Sequence, residues 1–153
     1  MFITSNKIFY HPEKVYRTIT GDPVAPVCVD LHLSNRCNNA CQYCGAVKSD
    51  AALMTQDVIK QSIEFIKYHE IKSVVLTGGG EPTINENFTD VVKSLYSAGI
   101  DVGVITNGVK FSQEMIEQVI PLVKWIRISL DASDQKTYKA IRGTDHYYTV
   151  IDN

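Results

Sequence analysis

The sequence predicts an α/β fold, a partial (β/α) barrel of about four βα units. Three observations carry this. Short apolar segments at residues 27–33, 73–77, 101–106 and 125–131 are each followed by a stretch of helical periodicity or helix-start chemistry. Such alternation implies parallel strands joined by right-handed crossovers. Every stretch rich in cysteine, glycine or asparagine lies just after the C-terminal end of one of these strands, where parallel α/β folds place their sites. The first and fourth strands each carry a polar face. An open sheet covered on both sides needs two apolar faces, so the polar faces point to the inside of a barrel.

The elements follow in order. Residues 1–26 read as an N-terminal extension in which His11-Pro12-Glu13 starts a helix: proline suits the first helical position and glutamate the positive helix end. Gly21, Asp22, Pro23 and Pro26 interrupt it. Residues 27–153 form the core domain. In its first strand Val27, Val29, Leu31 and Leu33 share one face, and Cys28, Asp30 and His32 the other. Thr55 can cap a helix running to Tyr68, with Val58, Ile59, Ser62, Ile63 and Ile66 as its inner stripe. A second core helix spans about 86–98, with Phe88, Val91, Val92 and Leu95 inside and Gly99 as its stop. Ser112 starts a third, carrying Met115, Ile116, Val119 and Ile120, and Pro121 ends it. In the fourth strand Ile126, Ile128 and Leu130 oppose Trp125, Arg127, Ser129 and Asp131. A helix from about 134 to 142 closes with Gly143, and residues 147–153 open another.

Composition bounds the function. A chain of 153 residues is one domain or part of one, and 44% hydrophobic content suffices for a packed core. A net charge of −2 argues against bulk electrostatic binding of nucleic acid. No apolar run approaches the roughly 18 residues of a membrane span. The N-terminus lacks the charged start and apolar core of a secretion signal, so a cytoplasmic location and no membrane association are expected.

Cys37, Cys41 and Cys44 stand at the spacing C-x3-C-x2-C, and the fourth cysteine, Cys28, lies inside the first strand. Without an export signal, clustered cysteines point to metal rather than disulfides. A structural zinc site closes with four ligands, which would recruit His32. Three thiolates on an iron–sulfur cube would instead leave one iron open. After the second strand comes Gly78-Gly79-Gly80-Glu81-Pro82-Thr83, which lacks the lysine and hydroxyl residue of a phosphate loop. Thr106-Asn107-Gly108 follows the third strand. Ser129-Leu130-Asp131-Ala132 and Arg142-Gly143 belong to the fourth unit. Each also has a plain reading: tight turns at the glycines, mutually bonded polar groups at Ser129 and Asp131, a dipole-favoured cation at Arg142.

In this order the motifs resemble the radical S-adenosylmethionine (radical SAM) superfamily over roughly residues 27–153. The resemblance implies a 4Fe-4S cluster on Cys37, Cys41 and Cys44, with S-adenosylmethionine chelating the open iron. Reductive cleavage then gives a 5′-deoxyadenosyl radical that abstracts hydrogen from a substrate the sequence does not identify. An external donor of flavodoxin or ferredoxin type supplies the electron. By the same resemblance the backbone of Gly79 and Gly80 approaches the methionine moiety and Glu81 lies near its ammonium group. Ser129 reaches the ribose or carboxylate, Arg142 pairs with the carboxylate, Tyr43 lies near the adenine, and Asn107 joins the cofactor-binding set. No catalytic residue is assigned. The family core has about six βα units, so the expectation is an N-terminal part of a longer enzyme, or a barrel completed by a partner chain. The alternatives are a non-catalytic zinc or structural iron–sulfur module and an inactive fragment that binds the cofactors.

Overall fold

The computed structural model describes residues 10–45 and 52–153. Positions 1–9 of the expected extension and 46–51 after the cysteine loop lie outside the described residues. Four parallel strands, β1 (Cys28–His32), β2 (Ser73–Thr77), β3 (Asp101–Thr106) and β4 (Trp125–Ile128), form one sheet in the order β1-β2-β3-β4. The sheet is open, with β1 and β4 at its edges. Sequential order is what repeated βα units with short connections produce. The register aligns Leu31, Leu76, Val104 and Ile126 in one row and Asp30, Val75, Gly103 and Trp125 in the next. Side chains alternate across a strand, so the first row is apolar throughout and the second faces the opposite side.

The helices are α1 (Pro12–Thr20), α2 (Gln56–Tyr68), α3 (Phe88–Ser97), α4 (Gln113–Val119), α5 (Gln135–Arg142) and α6 (Tyr147–Asp152). Their starts follow the expected chemistry. The Thr55 hydroxyl accepts from the Val58 amide, Ser112 from Met115, and Asp134 from Thr137. The Thr137 amide and hydroxyl hold the Asp134 carboxyl below its ordinary pKa. The core packs Val74, Leu76, Val102 and Val104 of the sheet with Ile59, Ile63 and Ile66 of α2 and Phe88, Val91, Val92 and Leu95 of α3. Each such burial contributes about 1.5–3 kcal/mol. On the opposite face of the sheet Cys28, Asp30, His32 and Arg127 are exposed.

Two expectations are corrected. Val58 is 45% exposed rather than part of the inner stripe. The stripe on α2 runs 59, 63, 66, and a residue one position away points about 100° off that line. The fourth strand ends at Ile128 rather than at residue 131. The Ser129 amide still bonds the Thr106 carbonyl, but Asp131 has φ 57°, a left-handed conformation that leaves the extended path. Pro121 does end α4, through a short 3-10 helix, Ile120–Leu122, in which Ile120 is half-exposed.

Candidate functional site

The cysteine loop lies at the C-terminal end of the sheet and is held at three places by backbone. At its base the Asn35 amide donates to the Ala52 carbonyl and the Met54 amide to Leu33. On the glycine-loop side, Gly80 N–H donates to Ser34 O at 3.0 Å and Glu81 N–H to Arg36 O at 2.7 Å. On the α5 side, Ala40 N–H donates to Arg142 O at 2.8 Å and Gln42 N–H to Ile141 O at 3.1 Å. These last two bonds satisfy carbonyls that every helix C-terminus leaves open. The loop is therefore clamped between the second and fourth units of the fold, although its cysteines are far from both in sequence.

Gly80 and Gly143 explain why the clamp can close. A Cβ on Gly80 would stand 2.1 Å from Arg36 O, and one on Gly143 2.6 Å from Ala40 O. Both are below any real contact with backbone. The close approach at Gly80 is thus to the cysteine loop itself. Gly80→Ala is expected to lower unfolding free energy by about 3 kcal/mol, the upper range for overpacking. Urea unfolding checks it, and a loss under 1 kcal/mol would contradict this seat.

Glu81 is buried at 2% exposure. Its Oε1 accepts from Thr83 N (3.1 Å), Thr83 Oγ1 (2.7 Å) and Thr106 Oγ1 (2.6 Å), and its Oε2 from Asn107 N (2.7 Å). The Thr106 hydroxyl in turn accepts from Gly108 N–H. The carboxylate thus joins the second loop to the Thr106-Asn107-Gly108 turn. Asn107, also buried, donates from Nδ2 to Asn38 Oδ1 at 2.6 Å and to Cys37 Sγ at 3.8 Å.

Arg142 is 5% exposed. Its Nη1 donates to Cys41 Sγ at 3.4 Å, and its Nη2 pairs with Asp131 Oδ2 at 2.6 Å and donates to the Ser129 carbonyl. Burial opposes the guanidinium charge, but the hydrogen bond and charge of Cys41, then Asp131, hold its pKa above the ordinary value. Tyr43 stacks its ring 5.8 Å from the guanidinium carbon and donates its hydroxyl to Asp131 Oδ2. Burial first, and the bond to Asp131 second, push its phenol pKa up. Ser129 is half-buried, and its hydroxyl has no hydrogen-bond partner among the described residues. Gly79 is half-buried in the glycine loop.

The structure therefore brings the three cysteines, Tyr43, Gly79, Gly80, Glu81, Asn107, Ser129 and Arg142 to one end of the sheet. The charged groups of Glu81 and Arg142 are engaged by the protein itself. Sequence reasoning missed Asn38, Asn39 and Thr106 as supports. Asn39 is buried, donating to Tyr138 and accepting from Thr144. Two asparagines inside the cysteine spacing were the available signal, but turn preference explains them equally well.

The donor chemistry fits a cluster. Asn39 N and Asn107 Nδ2 donate to Cys37 Sγ, and Arg142 Nη1 to Cys41 Sγ. Such donors favour thiolates and are the usual outer partners of iron–sulfur ligands. Arg142 Nε is buried with no hydrogen-bond partner among the described residues, and an orphan donor beside the thiols suits a site whose further acceptors arrive with a bound group. Among the described residues no disulfide forms, and no three His, Cys, Asp or Glu side chains converge on a single-ion site. Ligands of a four-iron cube sit farther apart than those of one ion, because the iron–sulfur framework stands between them.

The fold and the cysteine loop define an α/β protein of the partial-barrel class. The model of the Radical SAM superfamily matches residues 31–153, and the chain belongs to that superfamily. Its members use S-adenosylmethionine and a 4Fe-4S cluster. The chain is 27% identical over 125 residues to an S-adenosylmethionine-dependent nucleotide dehydratase of Selenomonas ruminantium, covering 80% of this chain and 46% of the relative. It is 32% identical over 138 residues to a probable GTP 3′,8-cyclase of Pyrococcus horikoshii, covering 86% and 41%. The solved structure of Streptococcus suis SuiB bound to S-adenosylmethionine shares the fold, with TM-score 0.70 and 16% identity over 90% of this chain and 33% of that one. The chain spans less than half the length of each.

Proposed function

We propose that Cys37, Cys41 and Cys44 hold a 4Fe-4S cluster and that the core formed by residues 27–153 places S-adenosylmethionine beside it. When bound, the two cofactors supply reductive cleavage of the sulfonium and a 5′-deoxyadenosyl radical for hydrogen abstraction. The observation that carries this is the clamped loop: two of its three thiols already receive N–H donors from separate units of the fold.

The chain's own residues divide the work. Glu81 is a positioning residue, tying the glycine loop and the β3 turn beneath the cysteines. Asn107 and Arg142 orient Cys37 and Cys41. The backbone of Gly79 and Gly80, the Ser129 hydroxyl and the Tyr43 ring supply the surfaces left for the cofactor. A flavodoxin- or ferredoxin-type protein of the cytoplasm supplies the electron. Substrate meets the exposed polar face of the sheet, where Asp30, His32 and Arg127 stand. Relatives named for nucleotide substrates, and SuiB, solved also with the precursor peptide SuiA, leave nucleotides and peptides as the two classes to screen.

The test is oxygen-free reconstitution with ferrous iron and sulfide. The protein is expected to take up both, to show a reducible cluster whose spectrum changes on adding S-adenosylmethionine, and to form 5′-deoxyadenosine with dithionite. Stoichiometric zinc without iron or sulfide after oxygen-free purification would favour the structural-module reading instead. A loaded cluster without 5′-deoxyadenosine would limit the chain to holding cofactors.

A further inference from the structure

We infer that Arg142 and Asp131 form a charge pair that tunes the reduction potential at the cysteine loop, Arg142 raising it and Asp131 lowering it. This rests on the cluster reading above and adds a role to residues of that same site.

Arg142 presents a buried positive charge to one thiol, with Nη1 3.4 Å from Cys41 Sγ. The side chain is held on several sides: Nη2 pairs with Asp131 Oδ2 at 2.6 Å and donates to the Ser129 carbonyl, and the Tyr43 ring lies against the guanidinium. Holding the loop does not require this charge. The main chain already does that, through Ala40 N–H to Arg142 O and Gln42 N–H to Ile141 O. Nor is a buried ion pair an efficient source of stability, since desolvation offsets much of its attraction. What an N–H donor and a positive charge do at a ligand sulfur is withdraw electron density from it. They favour the more negative, reduced form of a cluster and so raise its potential.

Asp131 acts in the opposite sense. Its carboxylate is half-exposed and lies one guanidinium away from Cys41. It sits at φ 57°, a conformation uncommon outside glycine, asparagine and aspartate, and its Oδ2 also accepts the Tyr43 hydroxyl. The backbone geometry therefore aims a negative charge at the guanidinium and moderates its effect on the sulfur.

The experiment is a potentiometric titration of the anaerobically reconstituted protein. Dithionite supplies the single electron that reduces each cluster, electron paramagnetic resonance reports the midpoint, and iron, sulfide and helical circular dichroism are measured for every variant. Arg142→Gln is expected to move the midpoint to more negative values. Asp131→Asn, whose side chain tolerates the same backbone conformation, is expected to move it to less negative values. A merely structural role predicts no such opposition of sign. Loaded variants with unshifted midpoints, or midpoints that move in the same direction, overturn the inference. Should one variant fail to fold or load, the sign of the other decides alone: the expected direction supports the inference, and no shift or the reverse overturns it. A wild-type protein that takes up no cluster overturns the cluster reading itself and this inference with it, an outcome distinct from a loaded wild type with unresponsive variants.

Discussion

Glu81→Ala is expected to lower unfolding free energy by about 4 kcal/mol, because it removes the acceptor for four donors in a buried site. The two threonine hydroxyls can rotate toward other acceptors. The amides of Thr83 and Asn107 cannot, and each buried amide left without a partner costs roughly 1–3 kcal/mol. The vacated volume adds a cavity term unless water enters it. Loss of the Asn107 anchor also frees the turn that carries the donor to Cys37. Glu81→Gln keeps one carbonyl oxygen but turns an NH2 toward donors, so it is expected to recover no more than about half of the loss. Equilibrium urea unfolding of both variants checks this. A Glu81→Ala protein within 1 kcal/mol of wild type would show that the carboxylate is not the tie between the second and third units.

Periodicity made much of this fold legible. The alternation in β1 places Leu31 inside and Asp30 and His32 outside, as the two faces of its pattern require. Phe88, Val91, Val92 and Leu95 lie inside α3 because their spacing fits one side of a helix. The pattern failed where a local event outweighed it. The alternation of Ser129-Leu130-Asp131 continues the strand pattern, whereas Asp131 turns left-handed and β4 ends three residues earlier, at Ile128. For the charged residues the sequence leaves the protein's own contacts out of view. The sequence places Glu81 and Arg142 next to recognisable motifs, which suggests that their charges face a ligand. Among the partners the protein itself supplies, Thr106 and Cys41 lie 25 and 101 residues away. Hydrogen-bond pairing at such separations is set by how units pack, and no single-chain period encodes it. The cysteine loop was legible because three cysteines fall within eight residues.

Cys41→Ala is expected to abolish cluster uptake while leaving the fold intact. Cys41 is the least exposed of the three thiols and the one that receives Arg142. With it gone, two thiols remain on the loop. Two thiolates cannot hold a four-iron cube that normally takes three or four protein ligands. The fold should survive because the clamps on either side of Cys41 are backbone bonds, Ala40 N–H to Arg142 O and Gln42 N–H to Ile141 O, and neither uses the sulfur. The measurement is iron and sulfide per chain after oxygen-free reconstitution, alongside helical circular dichroism. The expected result is iron and sulfide near background with an unchanged helical signal. Cys28→Ala is the control. Cys28 begins β1, at the end of the strand away from the cysteine loop, and among the described residues its exposed thiol makes only a weak contact, 4.0 Å to the Val29 carbonyl. Its loss is expected to leave loading at the wild-type level, which separates the loss of a ligand from the loss of any cysteine. Full iron and sulfide loading in Cys41→Ala would remove the cysteine loop as the cluster site.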